Sequence, residues 1–200
     1  MFVKILNYWL KKQDPFYEIF MKGKKVLDVG CGRGDLLRKD KENFAGIDLN
    51  ENLVNELKKG GLNVSLASAT AIPFLDNSFD VVNCRHIIEH LFPEEARKMI
   101  LEMKRVLKPG GIIILTTPTE EAVWNTFGHI KPYNPTAIKK LFLEVSLESF
   151  DSVSGLKIEK VIYLGRWSLN KLTFLISTLL ANIFKVAGGM YIMIIKKNGQ

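Results

Sequence analysis

Apolar residues fall along this chain in two alternating rhythms. Short runs rich in β-branched residues, Val26-Leu-Asp-Val29, Phe44-Ala-Gly-Ile47, Asn63-Val-Ser-Leu-Ala67, Phe79-Asp-Val-Val82 and Ile112-Ile-Ile-Leu-Thr116, are bounded by turn-forming residues, which predicts buried strands. Between them the spacing becomes helical. Leu53, Val54 and Leu57 share one face of a helix that Asn50 can cap and Lys58-Lys59-Gly60-Gly61 closes. Ala96, Met99, Ile100, Met103 and Val106 recur at the same period behind Pro93-Glu94-Glu95, until Lys108-Pro-Gly-Gly111 stops them. A further helix is expected from near Asp35 and another over Asn134 to Phe142. Lys157 to Leu164 and Met190 to Ile195 read as closing strands. Strands separated by helical segments predict an α/β fold: a Rossmann-like, mostly parallel sheet of about seven strands with helices on both faces and the last strand antiparallel.

A length of 200 residues suits one domain, expected here over 1–200. Residues 1–22, with Phe2, Ile5, Leu6 and Trp9, read as an amphipathic cap helix, and residues 168–188 as an apolar helical insert between the last two strands. The core of that insert, Leu172 to Val186, is shorter than the roughly 20 apolar residues of a spanning helix, and it contains Ser177, Asn182 and Lys185. Lid, homodimer face and peripheral contact with a membrane or lipid remain its three readings. The net charge of +7 is spread over short lysine and arginine groups, as on a solvated surface, so nucleic acid is not the expected partner. Cys31 and Cys84 have neither metal nor disulfide spacing, which fits a reducing cytoplasm.

The candidate chemistry starts at Gly30, Gly32 and Gly34, which follow a strand and let backbone amides approach a ligand without a Cβ in the way. Asp48 ends the next strand, where a carboxylate can accept both hydroxyls of a ribose. A dinucleotide fingerprint would place glycine where Asp35 stands, and a pyrophosphate would be repelled by Asp28 and Asp35. The loop therefore suits a nucleoside without a pyrophosphate.

Asp28-Val-Gly-Cys-Gly-Arg-Gly34 resembles the first motif of the class I S-adenosylmethionine-dependent methyltransferases. The resemblance continues through Ala69 to Asp80, Ile88-Glu-His-Leu91 and Arg105-Val-Leu-Lys-Pro-Gly-Gly111, in the order of small-molecule members such as the ubiquinone-biosynthesis type. It implies S-adenosyl-L-methionine as cofactor and S-adenosyl-L-homocysteine as product. The methionine end would lie along Asp28, Gly30, Cys31, Gly32 and Gly34, the ribose on Asp48 beside Leu49, the adenine at Ser68 and Ala69, and Arg85 at the cofactor's edge. Ser68 departs from the pattern, since an acid commonly stands there; a serine is shorter and uncharged.

The expected function is methyl transfer to a small, apolar acceptor, a quinone, lipid or metabolite precursor, at oxygen or carbon. The alternatives are an RNA or protein methyltransferase and a non-catalytic S-adenosylmethionine-binding regulator. In-line displacement from a sulfonium is largely a matter of positioning, but a protonated acceptor needs a base. His86, His90 and His129 are the candidates, and Trp124, Phe127 and Tyr133 could line the acceptor pocket. If helical, His86-Ile-Ile-Glu-His90 would put both histidines on one face. Some quinone-type relatives hold a divalent ion with a glutamate at the position of His86 and the same Glu-His pair. His86, Glu89 and His90 are accordingly the alternative to the expectation of no metal.

Overall fold

The computed structural model describes residues 14, 16–142, 153–164, 178–182 and 189–199. Its seven strands are β1 (Val26–Val29), β2 (Phe44–Asp48), β3 (Val64–Leu66), β4 (Phe79–Arg85), β5 (Leu107–Pro118), β6 (Leu156–Leu164) and β7 (Met190–Lys197). They form one sheet in the order β3-β2-β1-β4-β5-β7-β6. Neighbours from β3 through β5 run parallel, while β7 is antiparallel to both β5 and β6. This is the expected mixed sheet with its last strand reversed.

Helices α1 (Glu51–Lys59), α2 (Pro93–Val106), α3 (Glu120–Trp124) and α4 (Pro135–Phe142) accompany it. Their ends follow local chemistry. Asn50 Oδ1 accepts from Leu53 N at 3.1 Å at the start of α1, and the Glu95 carboxylate accepts from Phe92 N at 3.0 Å at the start of α2.

Side chains alternate between two faces along each strand, and the core divides accordingly. Leu27, Val29, Val82, Cys84, Ile113, Leu115, Met193 and Ile195 join Met99, Ile100 and Met103 of α2 and Ile138 and Phe142 of α4. Val26, Val81, Ile114, Ile192 and Ile194 join Val54 and Leu57 of α1 and Met21 of a π-helical turn, Tyr17–Met21. By parity Asp28 of β1, Asn83 of β4 and Thr116 of β5 belong to this second face.

Three local expectations change. No α-helix follows the glycine loop; Leu37–Lys39 is a single 3-10 turn. Asp40 then turns the chain, its carboxylate accepting from Asn43 N at 3.1 Å and its carbonyl from Phe44 N at 3.0 Å, so β2 begins before a helix can propagate. The helix ends where Lys108-Pro-Gly-Gly111 is expected to stop it, but β5 starts at Leu107, ahead of the strand expected from Ile112, and the irregularity is absorbed as a register shift between Phe79 and Val81 of β4. The segment after β4 is a 3-10 turn, Ile88–His90, and not a helix with two histidines on one face.

Of the cap helix expected over 1–22, residues 1–13 and 15 lie outside the described residues. Most of the 168–188 insert does too; residues 178–182 are helical. Among the described residues no helix is long and apolar enough to cross a membrane. Several of the dispersed cations are paired: Arg105 with Glu102 and Asp76, Lys108 with Asp80, and Lys39 with Asp14.

Candidate functional site

The strand order reverses direction between β1 and β4, and the carboxyl ends of the strands around that switch point are where open α/β sheets hold ligands. Parallel register sets Asp28 opposite both Gly46 of β2 and Asn83 of β4. Asn83 Nδ2 donates to Asp28 Oδ1 at 2.6 Å, entirely within the interior. Burial pushes the Asp28 carboxyl up to about 6, against the lowering effects of the Asn83 hydrogen bond and of Arg85. A cationic ligand group placed against Asp28 would restore its ionised form.

The loop beyond β1 is shaped by Gly30 and Gly32 in the left-handed region, at φ +72° and +51°. A Cβ on Gly30 would lie 2.3 Å from Ile87 Cδ1, so the loop can approach the segment after β4 only with glycine there. At Gly32 a Cβ would meet no protein atom within 4 Å, so that side of the loop is open. Asp48 splints this loop: Oδ2 accepts from Gly32 N at 2.8 Å and Oδ1 from Asn50 N at 2.9 Å. Each oxygen retains a lone pair for a ribose hydroxyl.

Cys31 is buried, and a Cβ built on Gly46 would meet its sulfur at 2.9 Å; burial, with help from Asp28 and Asp48, pushes its thiol up to about 12. Its side chain therefore faces the core, and its backbone holds the loop together, its N–H donating to the Ile47 carbonyl at 3.0 Å and its carbonyl accepting from Gly34 N at 2.9 Å. Leu49 is 73% exposed beside Asp48, free to cover an adenine or ribose face. The Ser68 hydroxyl is engaged locally, 2.8 Å from Thr70 Oγ1 and accepting from Thr70 N at 3.1 Å.

On the second sheet face a cavity of about 390 Å³ opens beside these groups. Phe16, Met21, Leu36, Ile114 and Ile192 give it apolar walls; Asn83, Arg85, His86 and Thr116 supply polar points at the ends of β4 and β5. Asn83 thus touches both Asp28 and the cavity. Sequence reasoning passed over it, yet an asparagine inside the apolar run Phe79 to Cys84 is the buried-polar signal that could have found it.

The three histidines do not converge on one point. His86 lies at the cavity wall with Nδ1 3.2 Å from Glu89 Oε1. His90 turns the other way, its Nδ1 3.1 Å from the Gly128 carbonyl and its ring 4.7 Å from that of His129. The main chain ties these loops together, since the Glu89 carbonyl accepts from Ile130 N at 2.8 Å. Glu89 is fully buried; its Oε2 and His129 Nδ1 have no hydrogen-bond partner among the described residues. Ligand atoms of Glu89, His90 and His129 lie within 4.8 Å of one another, so the set able to hold a metal is this one and not His86, Glu89 and His90. Of the expected pocket aromatics, Tyr133 is buried with its hydroxyl donating to the Leu91 carbonyl at 2.9 Å, while Trp124 and Phe127 are exposed. None of the three lines the cavity.

The fold and site together define a Rossmann-like nucleoside-binding domain with an adjoining small-molecule cavity. Residues 27–115 match the methyltransferase domain family, and the chain is similar to S-adenosylmethionine-dependent methyltransferases. A probable S-adenosylmethionine-dependent methyltransferase of Mycolicibacterium smegmatis is 27% identical over 164 residues, 78% of this chain and 62% of that protein. A ubiquinone biosynthesis O-methyltransferase of Methylococcus capsulatus is 35% identical over 48% of this chain and 44% of its own. A tRNA (carboxymethyluridine(34)-5-O)-methyltransferase of Arabidopsis thaliana is 32% identical over 52% of this chain and 26% of its own. The chain thus spans between about a quarter and three fifths of these relatives.

Among solved structures, the [4+2]-cyclase SpnF superposes with a TM-score of 0.64 at 20% identity, covering 94% of this chain and 80% of its own. A SAM-dependent methyltransferase of Archaeoglobus fulgidus does so at 0.57 and 22%, covering 98% and 92%. The cofactor of the family is S-adenosylmethionine. The residues fit it, with a buried acid for the ammonium and a splinted Asp48 for the ribose.

Proposed function

We propose that this chain transfers a methyl group from S-adenosylmethionine to a small, largely apolar acceptor at an oxygen or carbon atom. The observation that carries the reading is the shared wall at Asn83. One side of it is the buried Asp28 beside an open glycine loop; the other is a cavity large enough for one small molecule. Asp28 would hold the cofactor's ammonium, the loop from Gly30 to Gly34 would frame its methionine end, and Asp48 would hold its ribose. Leu49, Ser68 and Ala69 would flank the adenine, and Arg85 the edge nearest the cavity. The group itself supplies an electrophilic methyl on sulfur. The protein's part is to exclude water with Phe16, Met21, Leu36 and Ile114 and to hold the acceptor in line, roughly 3 Å from that methyl.

The apolar lining favours a small molecule over a polynucleotide, which would call for a basic groove with stacking aromatics. The test is titration calorimetry with S-adenosylhomocysteine and S-adenosylmethionine, followed by transfer of labelled methyl to a panel of hydroxylated aromatic and lipid-like acceptors. Stoichiometric micromolar binding is expected. Absence of binding would overturn the reading, and transfer confined to RNA would move the acceptor to the other class.

A further inference from the structure

The floor of the cavity is a patch of the sheet, and its two halves differ in chemistry. Parallel register sets Arg85 of β4 opposite Thr116 of β5; on β7, Ile192 then stands opposite Thr116 and Met190 opposite Pro118. Leu164 of β6 lies beside Met190. Arg85 and Thr116 therefore form a polar edge next to Asn83, from which Ile192, Met190 and Leu164 carry the floor away as an apolar strip. With strands about 4.8 Å apart, that strip lies roughly 10 Å from Arg85 at β7 and roughly 14 Å at β6.

Both groups of the polar edge are unspent. Thr116 is 5% exposed, yet its hydroxyl is neither hydrogen-bonded among the described residues nor sealed from solvent as Thr117 Oγ1 is, so it opens on the cavity. A buried hydroxyl is ordinarily completed by a partner, here one that the cavity would admit. Arg85 acts on Asp28 through space and makes no hydrogen bond or ion pair among the described residues. The carboxylates around it are engaged elsewhere. Asp14, on the same wall, accepts from Lys39 Nζ at 2.9 Å and from the N–H groups of Phe16 and Tyr17 at 3.0 and 3.2 Å. Asp28, behind Asn83, would face the cofactor's ammonium, and Glu89 lies 3.2 Å from His86 Nδ1. Arg85 is thus a cation on the cavity wall with its fork of donors unused.

We propose that the acceptor is an amphiphilic acid, its carboxylate held by the Arg85 guanidinium and the Thr116 hydroxyl and its apolar body laid along Ile192, Met190 and Leu164. Arg85 is then the residue that determines specificity. The proposal deepens the methyl-transfer reading and rests on it for the role of the bound acid as acceptor. A guanidinium offers a carboxylate two parallel N–H donors, and the hydroxyl adds a third. An apolar body without the acid would leave the Thr116 hydroxyl desolvated and unpaired, and a cationic head would meet Arg85 as a like charge.

The test is calorimetry on the full chain, with and without saturating S-adenosylhomocysteine, using octanoate, 1-octanol and octylammonium, which share one body and differ in the head. Octanoate is expected to bind one to one and roughly tenfold or more tighter than 1-octanol, with octylammonium weakest. Lengthening the acid from hexanoate to decanoate should tighten it about threefold per methylene, as burial along the apolar strip requires. Arg85→Met should weaken octanoate by about 10- to 100-fold and leave 1-octanol within about threefold, while Arg85→Lys should keep part of the preference. Thr116→Val, of nearly the same shape, should weaken octanoate about fivefold.

Octanoate no tighter than 1-octanol in wild type overturns the proposal, and so does an equal loss of both in Arg85→Met. A fall in S-adenosylhomocysteine affinity in Arg85→Met with the octanoate preference intact also overturns it, since Arg85 would then serve the cofactor's carboxylate. Octanoate bound through Arg85 by a protein that does not bind S-adenosylhomocysteine removes the methyl-transfer reading and leaves the acid site standing.

Discussion

The ends of β1 and β2 and the loops after β4 and β5 each bury an acid, but they hold it by different means. Asp28 sits inside a strand, its position set by parallel register with Gly46 and Asn83. Glu89 sits in a single 3-10 turn, and its surroundings come from His86, three residues away, and from a loop some 40 residues further on. Register is a property of the whole sheet, so the first acid is placed by the fold. The second is placed by two loops agreeing with each other. Cofactor recognition built on the sheet can stay constant while the acceptor side varies, and a [4+2]-cyclase on the same fold shows how far the chemistry of one architecture can move.

The largest effect that tests this contrast is expected at Asp28. Asp28→Asn should lower affinity for S-adenosylhomocysteine by about 100-fold or more, because a buried ion pair loses one partner. The same change should stabilise the unliganded protein. The Asp28 carboxyl titrates near 6 in the fold against 3.8 for the free side chain. Between those values the folded state binds the extra proton, so stability declines as pH rises from about 4 to about 6. Above that window the full cost of burying the charge is present, on the order of 2–3 kcal/mol. Thermal melts from pH 4 to 8 should show wild type and Asp28→Asn diverging upward through the window. Cofactor affinity should run the opposite way, weakening as pH falls through about 6. A wild-type affinity that is flat across this range would mean that the ammonium does not use Asp28.

A smaller loss is expected at Asp48, whose two oxygens restrain the glycine loop at Gly32 and the start of α1 at Asn50. Asp48→Ala should weaken S-adenosylhomocysteine about 30-fold, the scale of one or two charge-assisted hydrogen bonds. It should also raise amide exchange at Gly32 and Asn50. Exchange confined to Asn50 would show that the loop keeps its shape without the splint.

Stability alone is tested at the far end of the strands by Lys197. Its Nζ donates to the carbonyls of Lys104 and Leu107 at the end of α2 and to Asn77 Oδ1, fastening β7 to that helix. Lys197→Met should cost about 1–2 kcal/mol in denaturant melts, as loss of a cation at a helix C-terminus does, with cofactor affinity unchanged.

What could be read from the sequence follows the same division. The strands, α1, α2 and α4 were legible because each buries a regular stripe, and a stripe is a property of neighbouring residues. The placement of Asp28, the glycines and Asp48 at the ends of β1 and β2 was legible because a strand end followed by glycine is a local pattern. Asp35 to Lys39 misled because its apolar residues suit a helix, whereas the turn at Asp40 and the start of β2 leave room only for one 3-10 turn. His86 and His90 misled for a different reason: the positive φ of His86 breaks the helical geometry that their spacing presumes. The meeting of Glu89 and His90 with His129 spans two loops, and no local pattern announces it. Asn83 was discoverable, since a lone amide in an apolar strand implies a buried partner.

The smallest effect, and the one that most directly compares this chain with the pattern it resembles, is at Ser68. The resemblance implies an acid there, accepting from the adenine amino group; here the hydroxyl is spent on Thr70 N and Thr70 Oγ1. An aspartate can keep the bond from Thr70 N with one oxygen, as in an Asx turn, and offer the other to the ligand. Ser68→Asp should therefore tighten S-adenosylhomocysteine by about 3- to 10-fold, the gain of one charge-assisted hydrogen bond at a half-exposed position. Calorimetry with S-adenosylhomocysteine and with its inosyl analogue, which lacks the amino group, isolates that contact: the gain should vanish with the analogue. A gain that persists would place the effect in the turn at Thr70, and no gain at all would mean that β3 ends too far from the adenine for any side chain at position 68 to reach it.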